Sequence, residues 1–327
     1  MTCSVDFEKL KPVKATSLKW SRRIENYSDT GKIEIPAICR YIDGNNTYEN
    51  VVTGQKIIEG TKVKMFAGYD GKNDLQFDGF IKRINASQPL EIECEGYSYQ
   101  LRQKTINISF GKTTVKKVLE FLIKDTDIKL SDKISGDTIF EPKQFKNVQK
   151  TAVLDWLKEQ YKMKVFFFFD QLFVGLGQLY KGDTIKHRLN WNIVKENDLL
   201  FNTYTGTQVN IEGYTRLPDG TQIKARATNV KKTDQVLQVK MIIQHPKDLQ
   251  AATDEVQLKE NKKGYAGSLT GFLKPYAQVG MVSQIIDKKF EDRNGSYIID
   301  GVDGSFGTSG GRQKIHIDFS VKDNGKA

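Results

Sequence analysis

The constraint that bears hardest on this chain is a stretch near its start that is echoed near its end. Gly60-Thr61-Lys62-Val63-Lys64-Met65 runs through the polar cluster Tyr69-Asp70-Gly71-Lys72-Asn73-Asp74 into Phe77-Asp78-Gly79-Phe80-Ile81, and then into the alternating Leu90-Glu91-Ile92-Glu93-Cys94-Glu95. Gly280-Met281-Val282-Ser283-Gln284-Ile285 runs through Glu291-Asp292-Arg293-Asn294-Gly295 into Ile299-Asp300-Gly301-Val302, and then into Lys314-Ile315-His316-Ile317-Asp318-Phe319. Each copy reads strand, polar turn, strand through Asp-Gly, turn, alternating strand. Units this far apart indicate a duplicated β domain, since solenoid repeats recur every few tens of residues. Gly60, Val63, Asp78 and Gly79 are expected to answer to Gly280, Val282, Asp300 and Gly301.

Between the copies the period changes. Residues 17–100 alternate with the two-residue period of a half-buried sheet, as in Ile33-Glu34-Ile35, and are broken by turn clusters such as Asp43-Gly44-Asn45-Asn46. After Gly111, Thr113 or Thr114 can cap a helix whose Val115, Val118, Leu119, Leu122 and Ile123 share one face. A second helix is expected from Thr151, with Val153, Leu154, Leu157 and Tyr161 inward and Trp156 on its flank. Residues 163–176 read as an aromatic hairpin turning at Asp170-Gln171. Strands resume near Trp191, Pro218-Asp219-Gly220 marks a turn, and a helix over 247–263 stops at Gly264. The expected fold class is a β-rich α+β chain. Two similar small antiparallel β-barrels, 1–108 and 193–327, flank an α+β middle domain at 109–192.

With 327 residues, 38% hydrophobic and 28% charged, the chain can fill several cores. Its longest apolar run, Val165 to Phe169, falls far short of the ~20 residues of a membrane helix, so no membrane insertion is expected. Charged residues from Asp6 onward do not read as a secretory leader, which implies synthesis in the cytoplasm. Cys3, Cys39 and Cys94 are odd in number and lack CxxC spacing, arguing against a disulfide framework or a zinc site. The net charge of +10 is concentrated after residue 100. Arg102, Lys104, Lys112, Lys116 and Lys117 form a basic stretch, read either as a docking patch or solvated helix edge, or as a nucleic-acid site if they gather on one face.

Catalytic patterns fail on spacing. Gly111-Lys112-Thr113 stands where a phosphate loop would, but Ile106 occupies the required earlier glycine position. Gly175-Leu176-Gly177 lacks the third glycine of a dinucleotide fingerprint, Tyr180 standing there. Gly307-Thr308-Ser309-Gly310-Gly311 spells a nucleophile elbow but leads into an alternating strand, with no acid between Ser309 and His316. His187, His245 and His316 are scattered without ligand spacing. No cofactor, metal or catalytic residue is assigned, and no carboxylate pair stands out for glycoside hydrolysis.

The order of parts resembles the baseplate-hub family of contractile tails: phage late control protein D, the Mu-like and T-even tail hubs, and the N-terminal part of type VI secretion spike proteins. The likeness rests on a first barrel with Phe77-Asp78-Gly79-Phe80-Ile81 and Leu90 to Leu101, a middle with Thr151 to Leu176, and a second barrel closing on Tyr297 to Phe319. It implies a non-enzymatic homotrimer in which two barrels per chain place six around an axis, adapting a sixfold tail tube to a threefold spike. It also implies as partners the tail-tube protein and surrounding baseplate proteins. The end at Lys322-Asp323-Asn324-Gly325-Lys326-Ala327, without a needle or lysozyme-like domain, adds the expectation of a separate spike protein. Nucleic acid enters this reading only as cargo in a central channel, and the product is part of a virion tail or injection-system baseplate. The alternatives from other classes are a nucleic-acid-binding protein using the basic middle region and a cell-wall hydrolase.

Overall fold

Strand alternation builds the first region. A computed structural model describes residues 1–8, 12–42, 48–55, 57–176, 182–195, 199–202, 209–217, 219–230, 232–260, 264–291 and 294–320. The expected turn at Asp43–Asn46, Gly177, Tyr180, Pro218, Asp292, Arg293 and the final residues lie outside these. The first strands are β1 (Thr2–Phe7), β2 (Ser17–Arg23), β3 (Thr30–Ile35), β4 (Ile38–Ile42), β5 (Tyr48–Val52), β6 (Lys62–Tyr69), β7 (Lys72–Asn85) and β8 (Leu90–Glu95). Every second residue turns inward, so Val5, Phe7, Leu18, Trp20, Ile33, Ile35, Val63, Met65, Ile92 and Cys94 meet in one core. Asp70 and Gly71 both have positive φ, +52° and +77°, which the two-residue hairpin between β6 and β7 requires.

The middle holds α1 (Ser98–Arg102), β9 (Thr105–Phe110), β10 (Thr113–Thr114), α2 (Val115–Ile123), β11 (Lys129–Leu130), β12 (Ile139–Phe140), β13 (Lys143–Gln149), α3 (Thr151–Gln160), β14 (Lys164–Phe168) and β15 (Gln171–Gly175). Thr114 caps α2, its hydroxyl accepting the Lys117 N–H at 3.4 Å. The apolar faces of α2 and α3 close over β14 and β15.

There follow β16 (Thr184–Arg188), β17 (Ile193–Lys195), β18 (Leu200–Asn202), β19 (Asn210–Arg216), β20 (Gln222–Arg226), β21 (Val236–Lys240), α4 (Pro246–Glu260), β22 (Gly264–Gly271), β23 (Val282–Ile286), β24 (Gly295–Gly307) and β25 (Gly310–Ser320). The helix expected within the second β domain packs on β19 and β20 of the same stretch, and with them reaches the middle core. Leu249 and Ala252 of α4, with Ala225, Met241 and Ile243, join the core of α2 and α3. The buried Lys164–Glu255 ion pair at 2.8 Å ties α4 to β14. The second β region keeps a core of its own around Leu269, Ile285, Ile299, Val302 and Ile315.

Thirteen strands form one sheet. Its first half runs β1-β6-β7-β8-β3-β2, and its second places β23, β24, β25 and β22 in the same succession, with β16 beside β23 and β17 and β18 beside β22. The halves meet where β2 pairs antiparallel with β24. Among the described residues the ladder does not close on itself.

Candidate functional site

The two halves share details of backbone bonding. Gly60 and Gly280 both have φ +82°, a conformation open to glycine, and donate their N–H at 2.8 Å to Ile81 O and Ile299 O respectively. Ile81 and Ile299 in turn donate at 2.9 Å to Thr61 O and Met281 O. Directly after these isoleucines the register of β7 on β8 and of β24 on β25 shifts.

Counted from these anchors, the Asp-Gly dipeptides do not correspond, which corrects the sequence alignment. Asp78 lies three residues before Ile81, whereas Asp300 follows Ile299, and Val63 lies opposite Gly79 whereas Val282 lies opposite Ile298. The glycines serve different needs. A Cβ on Gly79 would sit 2.3 Å from Glu95 O, where backbones cross, while one on Gly301 would sit 2.1 Å from Arg23 Nη1.

The seam between β2 and β24 carries a polar cluster. Trp20 lies opposite both Gly31 and Gly304, and a Cβ on Gly304 would fall 1.9 Å from Trp20 Cε2. Asp303 accepts Ser21 Oγ at 2.6 Å, Arg23 Nη2 at 2.6 Å and His316 Nε2 at 2.9 Å. Burial opposes its charge, but the His316 and Ser21 bonds and the Arg23 cation outweigh burial and lower its pKa to about 2. His316 is therefore tied into the seam, not set out as a ligand.

Arg22, 2% exposed, points inward beside Trp20, donates to Gln278 Oε1 and lies 4.4 Å from the Phe169 ring centroid. Gln278 bonds Tyr276, whose hydroxyl donates to Leu75 O at 2.6 Å. Nearby Asp29 has its pKa raised to about 7 by burial, against the pull of the Arg22 charge. One polar chain thus fastens β2, the β14–β15 turn and the segment before β23. The sequence reading missed Trp20, Arg22, Gly304 and Gln278. An available signal was an arginine in phase with Leu18 and Trp20, on the apolar side of an alternating strand.

Across the seam runs a groove of about 590 Å³ lined by charges of both signs, among them Lys19, Lys32, Lys314, Glu91 and Glu93. Lys32–Glu91 and Arg83–Glu93 pairs, each at 2.6 Å, alternate along β3, β7 and β8.

The residues of the basic stretch lie on several elements. Arg102 pairs at 2.7 Å with buried Glu95, which also takes Ser98 at 2.9 Å and Lys82 at 3.6 Å. Lys104 and Lys112 stand beyond opposite ends of six-residue β9, a strand about 20 Å long at 3.3 Å per residue. Lys116 and Lys117 are exposed on α2. Gly111-Lys112-Thr113 leads into a capped helix. Ser309 is at the tip of the β24–β25 hairpin, followed by strand, so the elbow geometry is absent there. His187 is buried, bonds Ser283 Oγ through Nδ1 at 2.6 Å, and has its pKa lowered by burial to about 4. Cys3 and Cys94 are buried free thiols. Among the described residues no group of three His, Cys, Asp or Glu converges as metal ligands, and no helix is long and apolar enough to cross a membrane.

This architecture recurs in solved structures. A 43 kDa tail protein of prophage MuSo2 from Shewanella oneidensis matches with TM-score 0.65 and 14% identity, over 97% of this chain and 98% of its own. The chain has a tail-protein fold. The tail protein of Neisseria meningitidis MC58 matches with TM-score 0.67 and 11% identity, over 98% of this chain and 96% of its own. An Escherichia coli component of the type VI secretion system, described as structurally similar to the T4 tail proteins gp27 and gp5, matches with TM-score 0.60 and 10% identity, over 98% of this chain and 77% of its own. No protein-family model and no curated protein matches the sequence. At these identities the shared property is the tail-protein fold.

Proposed function

We propose that the chain is a structural baseplate hub of a contractile tail or injection machine. Three copies would surround the axis, each contributing two barrel-like units, residues 1–108 and the strands of 193–327 that belong to the large sheet, so that six similar lobes face a sixfold tail tube. The α+β unit at 109–192, with α4 docked on it, would face outward to surrounding baseplate proteins, and a separate spike protein would take the threefold side. The role is mechanical and not catalytic. Nucleic acid or other cargo passes the channel without a dedicated site. The chain is made in a bacterial cytoplasm and built into a virion tail or injection-system baseplate.

The observation that carries this reading is the repeated strand order in one sheet, with Gly60 and Gly280 making the same bonds. A duplicated unit in a threefold ring supplies six near-equivalent surfaces, which a single unit cannot. Electron microscopy of the purified assembly down its axis tests it. Threefold symmetry with six similar lobes is expected. A stable monomer in the presence of its spike, or lobes of two unrelated shapes, would refute it.

A further inference from the structure

We propose that the sheet of one copy continues into the next, the β17/β18 end of one protomer pairing antiparallel with residues 83–85 of β7 in its neighbour. The inference rests on the hub reading and adds the joint that closes the ring.

The intrachain seam is the template. In the second half, the edge of β24 is used twice. Gly295 to Ile298 pair with β23, and Gly301 to Phe306 pair with β2. In the first half, Lys72 to Phe80 of β7 pair with β6, and Ile81 reaches Thr61 O. Beyond that point no described strand occupies the same edge, although Arg83, Ile84 and Asn85 remain in strand geometry on β8. The anchors Ile81 and Ile299 make Arg83 to Asn85 the counterparts of Gly301 to Asp303. The segment that β2 covers in one half is thus left without a partner strand, among the described residues, in the other. An uncovered edge in strand geometry is a template for pairing.

The strand to fill it is equally specified. β2 flanks β3 in the first half, and β17 and β18 flank β22 in the second. Gly31 lies opposite Cys94, which pairs with Ile81, and Gly267 lies opposite Ile317, which pairs with Ile299. Thr30 therefore corresponds to Ala266. Their partners, Ser21 and Leu200, correspond in turn. Ser21 pairs with Asp303 in the seam, so Leu200 should pair with Asn85 of the neighbour. The surface is suited to being covered: Leu200 is 72% exposed, Val194 52% and Trp191 78% at the end of the sheet. Because the two edges differ, the contact is heterologous and propagates around a ring.

Disulfide trapping tests the joint in the full chain, in a Cys39→Ser background because Cys3 and Cys94 are buried. Directly opposed antiparallel residues have Cα atoms about 4.5–5.5 Å apart, within disulfide reach. Mixed Asn85→Cys and Leu200→Cys chains should give a covalent dimer under oxidation that neither gives alone. The double variant should give a ladder ending at the ring's copy number. An oligomer by light scattering without the mixed dimer overturns this joint and leaves the hub reading standing. A monomer at every concentration, with its spike present, overturns both.

Discussion

Replacing Gly304 with alanine probes the seam through one methyl group. The added Cβ would lie 1.9, 2.0 and 2.3 Å from Trp20 Cε2, Cζ2 and Nε1, against the ~3.5–4.0 Å at which such atoms attract. The indole must retreat by about 1.5 Å or more. Trp20 is 3% exposed and held on its other side by β3, so the retreat forces side chains off their rotamers or parts β2 from β24. Overpacking of this kind costs about 1–3 kcal/mol. At roughly 2–4 °C per kcal/mol for a chain above 150 residues, the expected fall in Tm is about 2–12 °C. Gly111→Ala is the matched control, because nothing lies within 4 Å of its added Cβ. It should be neutral or stabilising by up to about 1 kcal/mol. Differential scanning fluorimetry and urea melts of both variants read the difference. Trp20→Leu should make Gly304→Ala nearly harmless, a coupling of about 0.5–3 kcal/mol. Equal melting of Gly304→Ala and Gly111→Ala, or additivity of the double variant, would refute the reasoning.

Two buried titrations should oppose each other. Asp29, raised from 3.8 to about 7, adds stability that is complete below pH 3.8 and lost as pH rises through 7, so Asp29→Asn should gain on the wild type by a few kcal/mol from pH 4 to 8 in urea melts. His187, lowered from 6.5 to about 4 by burial, adds stability present above pH 6.5 and lost as pH falls through 4. His187→Gln should therefore gain on the wild type by about 3 kcal/mol from pH 7 to 4, and a pH-independent difference for either variant would sink its assignment. Arg102→Met removes a charged partner of buried Glu95 and should lower stability by about 1.5–3 kcal/mol. It should leave salt-dependent nucleic-acid binding unchanged in a filter assay, and a lost salt slope would restore the basic-patch reading.

What the sequence made legible follows the range of the physics. Local signals were enough for α2, where Thr114 precedes a clean apolar stripe, and for the existence of the β14–β15 hairpin, although its two-residue turn falls at Phe169-Asp170, one residue before the expected Asp170-Gln171, because Gln171 pairs with Phe168. Alternation likewise marked β3, β6 and β8. The periodicity of Leu249, Ala252 and Val256 showed that α4 buries a face, but periodicity carries no information about what lies beneath. The helix was accordingly grouped with the strands of 193–327, and it does pack on β19 and β20 of that stretch, while Lys164–Glu255 and a shared apolar core tie these elements to α2 and α3. The repeat was visible as a strand order. Its fine alignment followed the Asp-Gly dipeptides, although glycine is demanded by a backbone crossing at Gly79 and by a long side chain at Gly301. The true markers, Gly60 and Gly280, are set by φ. The joining of β2 to β24 had no local signature at all.

That joining has a consequence for how the protein is made. Ser21 meets Asp303 across 282 residues of chain, so the ladder cannot form until nearly the whole polypeptide has been translated. At about 5–20 residues per second, the first half waits on the order of 15–60 s after β2 emerges before its partner strand appears. Through that interval Leu18, Trp20 and Arg22 sit in an edge strand whose neighbour is missing. On a polysome the nearest β24 can belong to the chain ahead. Seam closure in cis is then a race against exchange between nascent chains, and slower translation of the last hundred residues should raise the yield of swapped or aggregated product.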